Sequence, residues 1–252
     1  MTRDTSTPEA LYHDDAFVQF YDLENGWGPD TRFCAGLGNV ATSVLDLGCG
    51  TGLLAAHLAA DGSRRAVGVD PAAAMLAVAR TRPGGDRARW VEADARALDL
   101  GERFDLIVMT GHAFQCFPTA ADRADLLAAI HRHLAPEGRF ILDSRNPTAR
   151  EWLEWRPEDR RSFVHPSLGA ITAWNDAFAD EATGLVHYDT FYRIEESGQT
   201  LSTRCALAFP SQREIAGAIA AAGLMVETWF GNWEGAAWTV ASPEIIPLGR
   251  RA

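Results

Sequence analysis

The stretch "SVLDLGCGTGLLAAHLAADG", residues 43–62, constrains this chain more than any other. A short apolar run, Ser43 to Leu47, enters three closely spaced glycines, Gly48, Gly50 and Gly52. It leaves in a segment rich in Ala and Leu. The pattern predicts a buried strand, a tight turn and a helix that starts near Thr51. Glycine admits positive φ and lets a ligand approach the backbone where a Cβ would collide. The helix aims its free N–H groups and positive dipole end into that space. Such a turn suits a nucleotide, a phosphate or no ligand at all.

The flanking sequence repeats the alternation. "RAVGVD" (65–70), "ARWVEA" (88–93), "FDLIVM" (104–109) and "RFILDS" (139–144) predict four more buried strands. Helical composition over 52–60, 72–80 and 120–134, with a weaker crossover near 95–100, separates them. Strands alternating with helices imply right-handed crossovers, a mostly parallel doubly wound sheet and ligands at its carboxyl edge. After Ser144 the pattern changes. "LGAITAWNDAFAD", "GLVHYDTFYRIEESG" and "QTLSTRCALAFP" predict three antiparallel strands joined by tight turns. A helix follows at 211–223, where Ser211 and Glu214 have capping-box spacing and Gly223 is a stop. "LMVETWFG" and "PEIIPLGR" then complete seven strands.

The expected architecture is a Rossmann-like α/β domain over 40–145 and 210–252, with an antiparallel β insertion over 146–209 between strands five and six. Residues 1–39 are expected to be an N-terminal helical lid segment. Within it, residues 1 to about 8 form a loose tail and one or two short amphipathic helices span Pro8 to Phe33.

Composition narrows the partners. With 34 acidic against 23 basic residues the net charge is -11, which disfavours nucleic acid and is compatible with a cationic ligand. Cys34, Cys49, Cys116 and Cys205 are scattered, so neither a disulfide framework nor a zinc site is expected. The polar start "MTRDTSTPEA" is unlike a signal or transit peptide, and no apolar run nears the ~20 residues of a membrane span. A soluble cytoplasmic protein without a metal is expected.

A dinucleotide fingerprint, G-x-G-x-x-G, would need glycine where Leu53 stands, and a P-loop would need a lysine that is absent. "VLDLGCGTG" instead resembles the E/D-x-G-x-G-x-G signature of class I S-adenosylmethionine-dependent methyltransferases. The resemblance runs in order over residues 40–145, through "VGVDPAAAML", "VEADA", "FDLIVMTGHAF" and "HRHLAPEGRFILD". It implies S-adenosyl-L-methionine as cofactor. Gly48, Cys49 and Gly50 would line the turn, and Asp46 would hold the ligand's amino group or brace the loop. Asp70 would accept both ribose hydroxyls, and Pro71 and Met75 would flank the adenine. Asp94 and the backbone of Ala95 would bind the adenine amino group, with Thr110 and Gly111 in the loop beyond. Acids after strands also serve as helix N-caps, which is the competing role for Asp70 and Asp94.

Methyl transfer from a sulfonium is an in-line displacement that depends on alignment and exclusion of water. His112, after the fourth strand, is a candidate general base, or it fixes loop geometry by hydrogen bonds. Tyr21 and Trp27 can face the sulfonium with their rings, or they pack as ordinary core; Tyr21 is also a candidate catalytic residue. Arg32 is a candidate for the methionine carboxylate or is simply solvated.

The β insertion resembles that of small-molecule N-methyltransferases acting on glycine or amino sugars. Trp152, Trp155, His165, Trp174, His187, Tyr188 and Tyr192 would supply aromatic surface to an acceptor or to a homodimer contact, or form a packed face. Arg145 and Arg193 could meet an acidic substrate. No N/D-P-P-Y/F tetrad follows the fourth strand, and Cys116 is followed by Phe117 rather than proline, unlike the nucleic-acid methylating enzymes. The expected function is methyl transfer to N, or O, of a small metabolite. A cofactor-binding protein without catalysis and an NAD-dependent oxidoreductase are the alternatives.

Overall fold

The computed structural model describes residues 2–4 and 10–252. The chain opens with β1 (Thr2–Asp4), α1 (Ala10–His13), α2 (Asp15–Glu24) and α3 (Pro29–Gly38). Asp14 caps α2 by accepting the Ala16 N–H, and α3 begins on a proline, whose missing N–H costs nothing there. The alternating region gives β2 (Ser43–Leu47), α4 (Leu53–Ala59), β3 (Arg65–Asp70), α5 (Ala73–Thr81), β4 (Arg89–Glu92) and β5 (Phe104–Met109). Then come α6 (Ala120–His133), β6 (Leu134–Leu142) and the short β7 (Ser144–Arg145). The later segment holds β8 (Arg161–His165), β9 (Gly169–Asp180), β10 (Leu185–Ile194) and β11 (Thr200–Ala208). It closes with α7 (Gln212–Ala221), β12 (Leu224–Phe230) and β13 (Glu244–Arg251).

The chain divides into two compact units, residues 27–149 with 209–252 and residues 1–26 with 150–208. The expected 1–39 segment therefore does not stay together. Phe17 and Phe20 of α2 pack on Ile171, Ala173 and Tyr192 in one unit, whereas Cys34 and Ala35 of α3 pack on Val44 and Leu58 in the other.

The larger unit is the expected seven-stranded α/β sheet, in the order β12-β13-β6-β5-β2-β3-β4, with β7 added beside β13. Strands β6, β5, β2, β3 and β4 pair parallel, and β13 runs antiparallel to β6. Their near-continuous apolar runs reflect burial on both faces. The chain turns outward in both directions from β2 and β5, so the crevice at their carboxyl ends is the switch point of the sheet. Both capping boxes of the unit form, Thr119 with Asp122 on α6 and Ser211 with Glu214 on α7.

The smaller unit is a five-stranded sheet, β1-β11-β10-β9-β8. The three predicted strands are there, and two edges were missed. β8 adds antiparallel to β9, and β1 adds parallel to β11. Residues 2–4 are thus strand rather than tail; positions 1 and 5–9 of the predicted tail lie outside the described residues. Side-chain alternation also splits the predicted aromatic surface. Tyr192 belongs to the face that buries Phe20, its ring stacked 4.5 Å away. Trp174 stacks on Phe191 at 5.1 Å, and Phe178 on His187 at 5.2 Å, on the opposite face.

Candidate active site

The glycine turn after β2 is held shut by its own backbone and by one acid. Gly48, Gly50 and Gly52 have φ of 68°, 52° and 75°, the left-handed region open to glycine. The N–H groups of Gly48 and Cys49 donate to Val69 O at 2.8 and 3.1 Å, and Gly52 N–H to Cys49 O at 2.8 Å. Asp70, at the end of β3, accepts Gly50 N–H at 2.8 Å on Oδ2 and Ala72 N–H at 2.9 Å on Oδ1.

Two of the glycines clear space for the protein rather than for a ligand. A Cβ on Gly52 would stand 2.4 Å from the Trp90 ring and 2.7 Å from Ala79 Cβ; on Gly48 it would stand 2.9 Å from Ala113 Cβ. Gly68 in β3 clears the same indole, at 2.4 Å. Trp90 is fixed in turn by donating Nε1–H to Gly85 O at 2.8 Å. Gly52 also caps α4, so that helix starts at Leu53, slightly later than the sequence suggests.

Just past α5 the guanidinium of Arg82 donates to Thr51 O at 2.7 Å and to Thr51 Oγ1 at 2.8 Å. Arg82→Ala should remove both, loosening the turn and costing about 1–3 kcal/mol. Urea unfolding measures the cost, and Arg82→Lys should restore only part of it because an ammonium lacks the planar fork.

Asp46, the last polar residue of β2, is buried beneath the turn and braces Ala55 N–H at the start of α4. Burial, then the charges of Asp70 and Asp30, push its pKa from 3.8 up to about 7, with the Ala55 bond acting the other way. Below the ordinary value both folded and unfolded chains carry the proton and no penalty exists. The penalty grows as pH rises from there and is complete above about 7. Asp46→Asn keeps the acceptor oxygen and removes the charge. It should stabilise the protein by about 2 kcal/mol more at about pH 8 than at about pH 5. Urea midpoints at the two pH values check this, and an equal gain at both would refute it.

Across the switch point, His112 sits in the loop after β5 with φ of 62°, uncommon for a residue with a side chain. Two acids hold it there. Asp143, just past β6, accepts the His112 backbone N–H at 2.9 Å on Oδ1, and Glu244, the first residue of β13, lies 2.9 Å from His112 Nε2. A carboxylate only accepts, so Nε2 carries the hydrogen of that bond. Burial acts to lower the imidazole's pKa, but the Asp143 charge and the Glu244 bond outweigh it and the net shift is upward. Nε2 is therefore a donor to Glu244 and offers no free lone pair in this arrangement. Asn146 secures the other side, donating from Nδ2 to Val240 O and Ser242 O at 3.0 and 2.7 Å, just before Glu244.

The remaining candidates divide. Asp94 caps the 3-10 turn Ala95–Ala97 by accepting Arg96 N–H at 2.9 Å, and its side chain pairs with the Arg96 guanidinium at 2.5 Å. The Arg96 hydrogen bond outweighs burial and holds its pKa below the usual range. Ala95 is buried in the core and Cys49 is buried in the turn. Pro71 and Gly111 are exposed, Thr110 is half-buried, and Met75 is buried on α5. A Cβ on Gly111 would meet nothing within 4 Å. Trp27 lies edge-on to His57 of α4, their ring centroids 4.5 Å apart, in the larger unit. Tyr21 belongs to the smaller unit, edge-on to Tyr12 at 6.4 Å. Arg32 is exposed on α3. Sequence inspection missed Arg82, Trp90, Asp143 and Glu244. "RFILDS" did carry Asp143 at a strand end, the one signal available for these four.

The site fits the cofactor that the sequence resemblance implies. Asp30, Asp46, Asp70, Asp143 and Glu244 act on one another through their charges, and the His112 imidazole opposes them at Asp143. An acid-rich crevice of this kind suits a ligand that carries a sulfonium and an ammonium group. A carboxylate can accept more than two bonds, so Asp70 can brace the turn and receive ribose hydroxyls together.

Comparison with known proteins agrees. The family described as "Methyltransferase domain" matches residues 44–138. A cypemycin N-terminal methyltransferase from Streptomyces sp is 30% identical over 164 residues, 61% of this chain and 63% of that one. A ubiquinone biosynthesis O-methyltransferase from Azorhizobium caulinodans is 34% identical over 140 residues, 49% and 53% respectively. The matches thus span between half and two thirds of these curated relatives. Among solved structures, the CcbJ methyltransferase from Streptomyces caelestis superposes with a TM-score of 0.76 at 21% identity, covering 93% of this chain and 96% of that one. It shares the fold.

Proposed function

From a chain whose residues 44–138 form a methyltransferase domain of the class I fold, we propose S-adenosylmethionine-dependent transfer of a methyl group to a small molecule, at N rather than O. The observation that carries the proposal is the pairing of a positive-φ glycine turn with two buried acids, Asp46 and Asp70, at adjacent strand ends. The cypemycin relative, by its name, methylates an amino terminus, and the acid-rich crevice favours an amine over an anionic oxygen.

In this proposal Asp70 orients the ribose, Asp94, Ala95, Pro71 and Met75 receive the adenine, and the 48–50 turn with Asp46 receives the amino-acid end. Thr110 and Gly111 border the same crevice. When bound, S-adenosylmethionine supplies an electrophilic methyl carbon on a sulfonium. The protein's part is to hold the acceptor in line with that carbon and to exclude water. Trp27, in the same unit as the turn, offers an aromatic face for a cation.

Thermal-shift titration separates the cofactor readings. S-adenosylhomocysteine should raise the melting temperature and NAD should not; stabilisation by NAD alone would overturn the proposal. Turnover of labelled S-adenosylmethionine against a panel of small amines and their hydroxyl counterparts then tests catalysis and the preference for nitrogen.

A further inference from the structure

Asp143 and Glu244 each keep one oxygen that nothing satisfies. Among the described residues, Asp143 Oδ2 and Glu244 Oε2 are buried with no hydrogen-bond partner. Their other oxygens are engaged by His112, through its backbone N–H and its Nε2. Both carboxylates also converge on one atom. His112 Nε2 is 2.9 Å from Glu244 Oε1 and 3.8 Å from Asp143 Oδ2. Leaving a buried charged acceptor unmade is costlier than leaving a neutral one, so two such oxygens around one imidazole call for a donor.

We propose that Asp143 and Glu244 form the recognition site for the acceptor's amino group, with His112 as the positioning residue that fixes both carboxylates. The inference rests on the methyltransferase reading and names its acceptor as a primary or secondary amine.

Several observations select an amine over other occupants. The unfilled atoms are acceptors, so the partner must donate, and two unmade carboxylate oxygens favour a cationic donor even with His112 and Arg145 acting on the site. Among the described residues no group of His, Cys, Asp and Glu is arranged to hold a metal ion. The place is right as well. β6, β5 and β2 are neighbours, and Ala113, next to His112, is the residue that a Gly48 Cβ would strike. The His112 and Glu244 side chains keep 21% and 14% exposure, while Asp143 at 1% is the floor of the cluster.

The charged groups that act on the site are Asp143, Glu244, His112, Arg145 and, at longer range, Asp30. Burial raises the Asp143 pKa to about 6, against the His112 charge and with the Glu244 charge, which gives this floor the proton affinity of a modest base. The ammonium gives one proton to Asp143 Oδ2, leaving a neutral amine and a neutral carboxyl. The nitrogen lone pair forms the bond to the methyl carbon as the carbon–sulfur bond breaks and its pair stays on sulfur. The product nitrogen regains the positive charge, and Asp143 returns its proton to water as product leaves.

The test follows the His112 ring resonances by NMR with S-adenosylhomocysteine bound, using methylammonium, tetramethylammonium and methanol as probes. Methylammonium should shift the ring in the unaltered protein. Tetramethylammonium, which has charge but no N–H, and methanol, which has no charge, should shift it far less. Glu244→Gln and Asp143→Asn should each weaken methylammonium binding by about tenfold or more, as loss of a charge-assisted bond implies. S-adenosylhomocysteine affinity of Glu244→Gln should stay within about twofold, which also reports that it is folded. Equal shifts from methylammonium and tetramethylammonium, or no shift from any probe, would overturn the inference. A crystal structure with an ordered water on both oxygens that methylammonium does not displace would do the same. Failure of S-adenosylhomocysteine to bind the unaltered protein would instead sink the cofactor proposal.

Discussion

Asp70→Ala should bind S-adenosylhomocysteine at least about a hundredfold more weakly than the unaltered protein, as loss of two charge-assisted bonds at roughly 1.5–3 kcal/mol each implies. The effect has two parts that calorimetry and unfolding separate. One is direct, the ribose contact proposed for this carboxylate. The other is the loss of the bond from Asp70 Oδ2 to Gly50 N–H and from Oδ1 to Ala72 N–H, which hold the turn closed. Asp70→Asn keeps an acceptor oxygen. It should recover part of the stability, since only one of the two backbone bonds keeps its acceptor, and little of the affinity if the ribose contact is real. Unchanged affinity in both variants would mean that the acid serves the turn alone.

Gly52→Ala should be the most damaging single change in the turn. The added methyl meets the Trp90 ring and Ala79, and φ of 75° is a conformation that side chains avoid. Overpacking costs ~1–3 kcal/mol and the left-handed conformation ~1–2 kcal/mol, so about 3 kcal/mol in all. For a protein of this size that lowers the melting temperature by about 8 °C. Trp90→Leu in the same chain should recover part of the loss, because the clash partner is gone, while the φ cost persists. If Trp90→Leu recovers nothing, the indole is not what the third glycine accommodates.

These two residues mark what could be read in the sequence and what could not. Asp70 was legible because its signal is local: an acid at the end of a strand, 18 positions after Gly52, in a recognisable order of motifs. The capping box of Ser211 and Glu214 was legible for the same reason, since a stretch of four residues suffices to define it. The purpose of Gly52 was not. Its neighbour Trp90 lies across two strand connections, and nothing near position 52 announces an indole. Glu244 was missed because an acid before an apolar run is unremarkable until β13 pairs with β7 and sets it opposite Arg145. β8 and β1 escaped because edge strands are short and need not be apolar; their register is specified by the sheet they join. The start of β6 also moved. Phe104 pairs with Leu134 ahead of a register shift, so the strand begins five residues before the run "RFILDS".

The way the smaller unit is assembled bears on how the protein is made. Residues 10–26 leave the ribosome long before residues 150–208, whose sheet supplies the floor on which Phe17 and Phe20 rest. Contacts this distant in sequence form late and close slowly. While synthesis continues, those two phenylalanines lack the sheet that buries them, which leaves the nascent chain an apolar handle for chaperones or for aggregation.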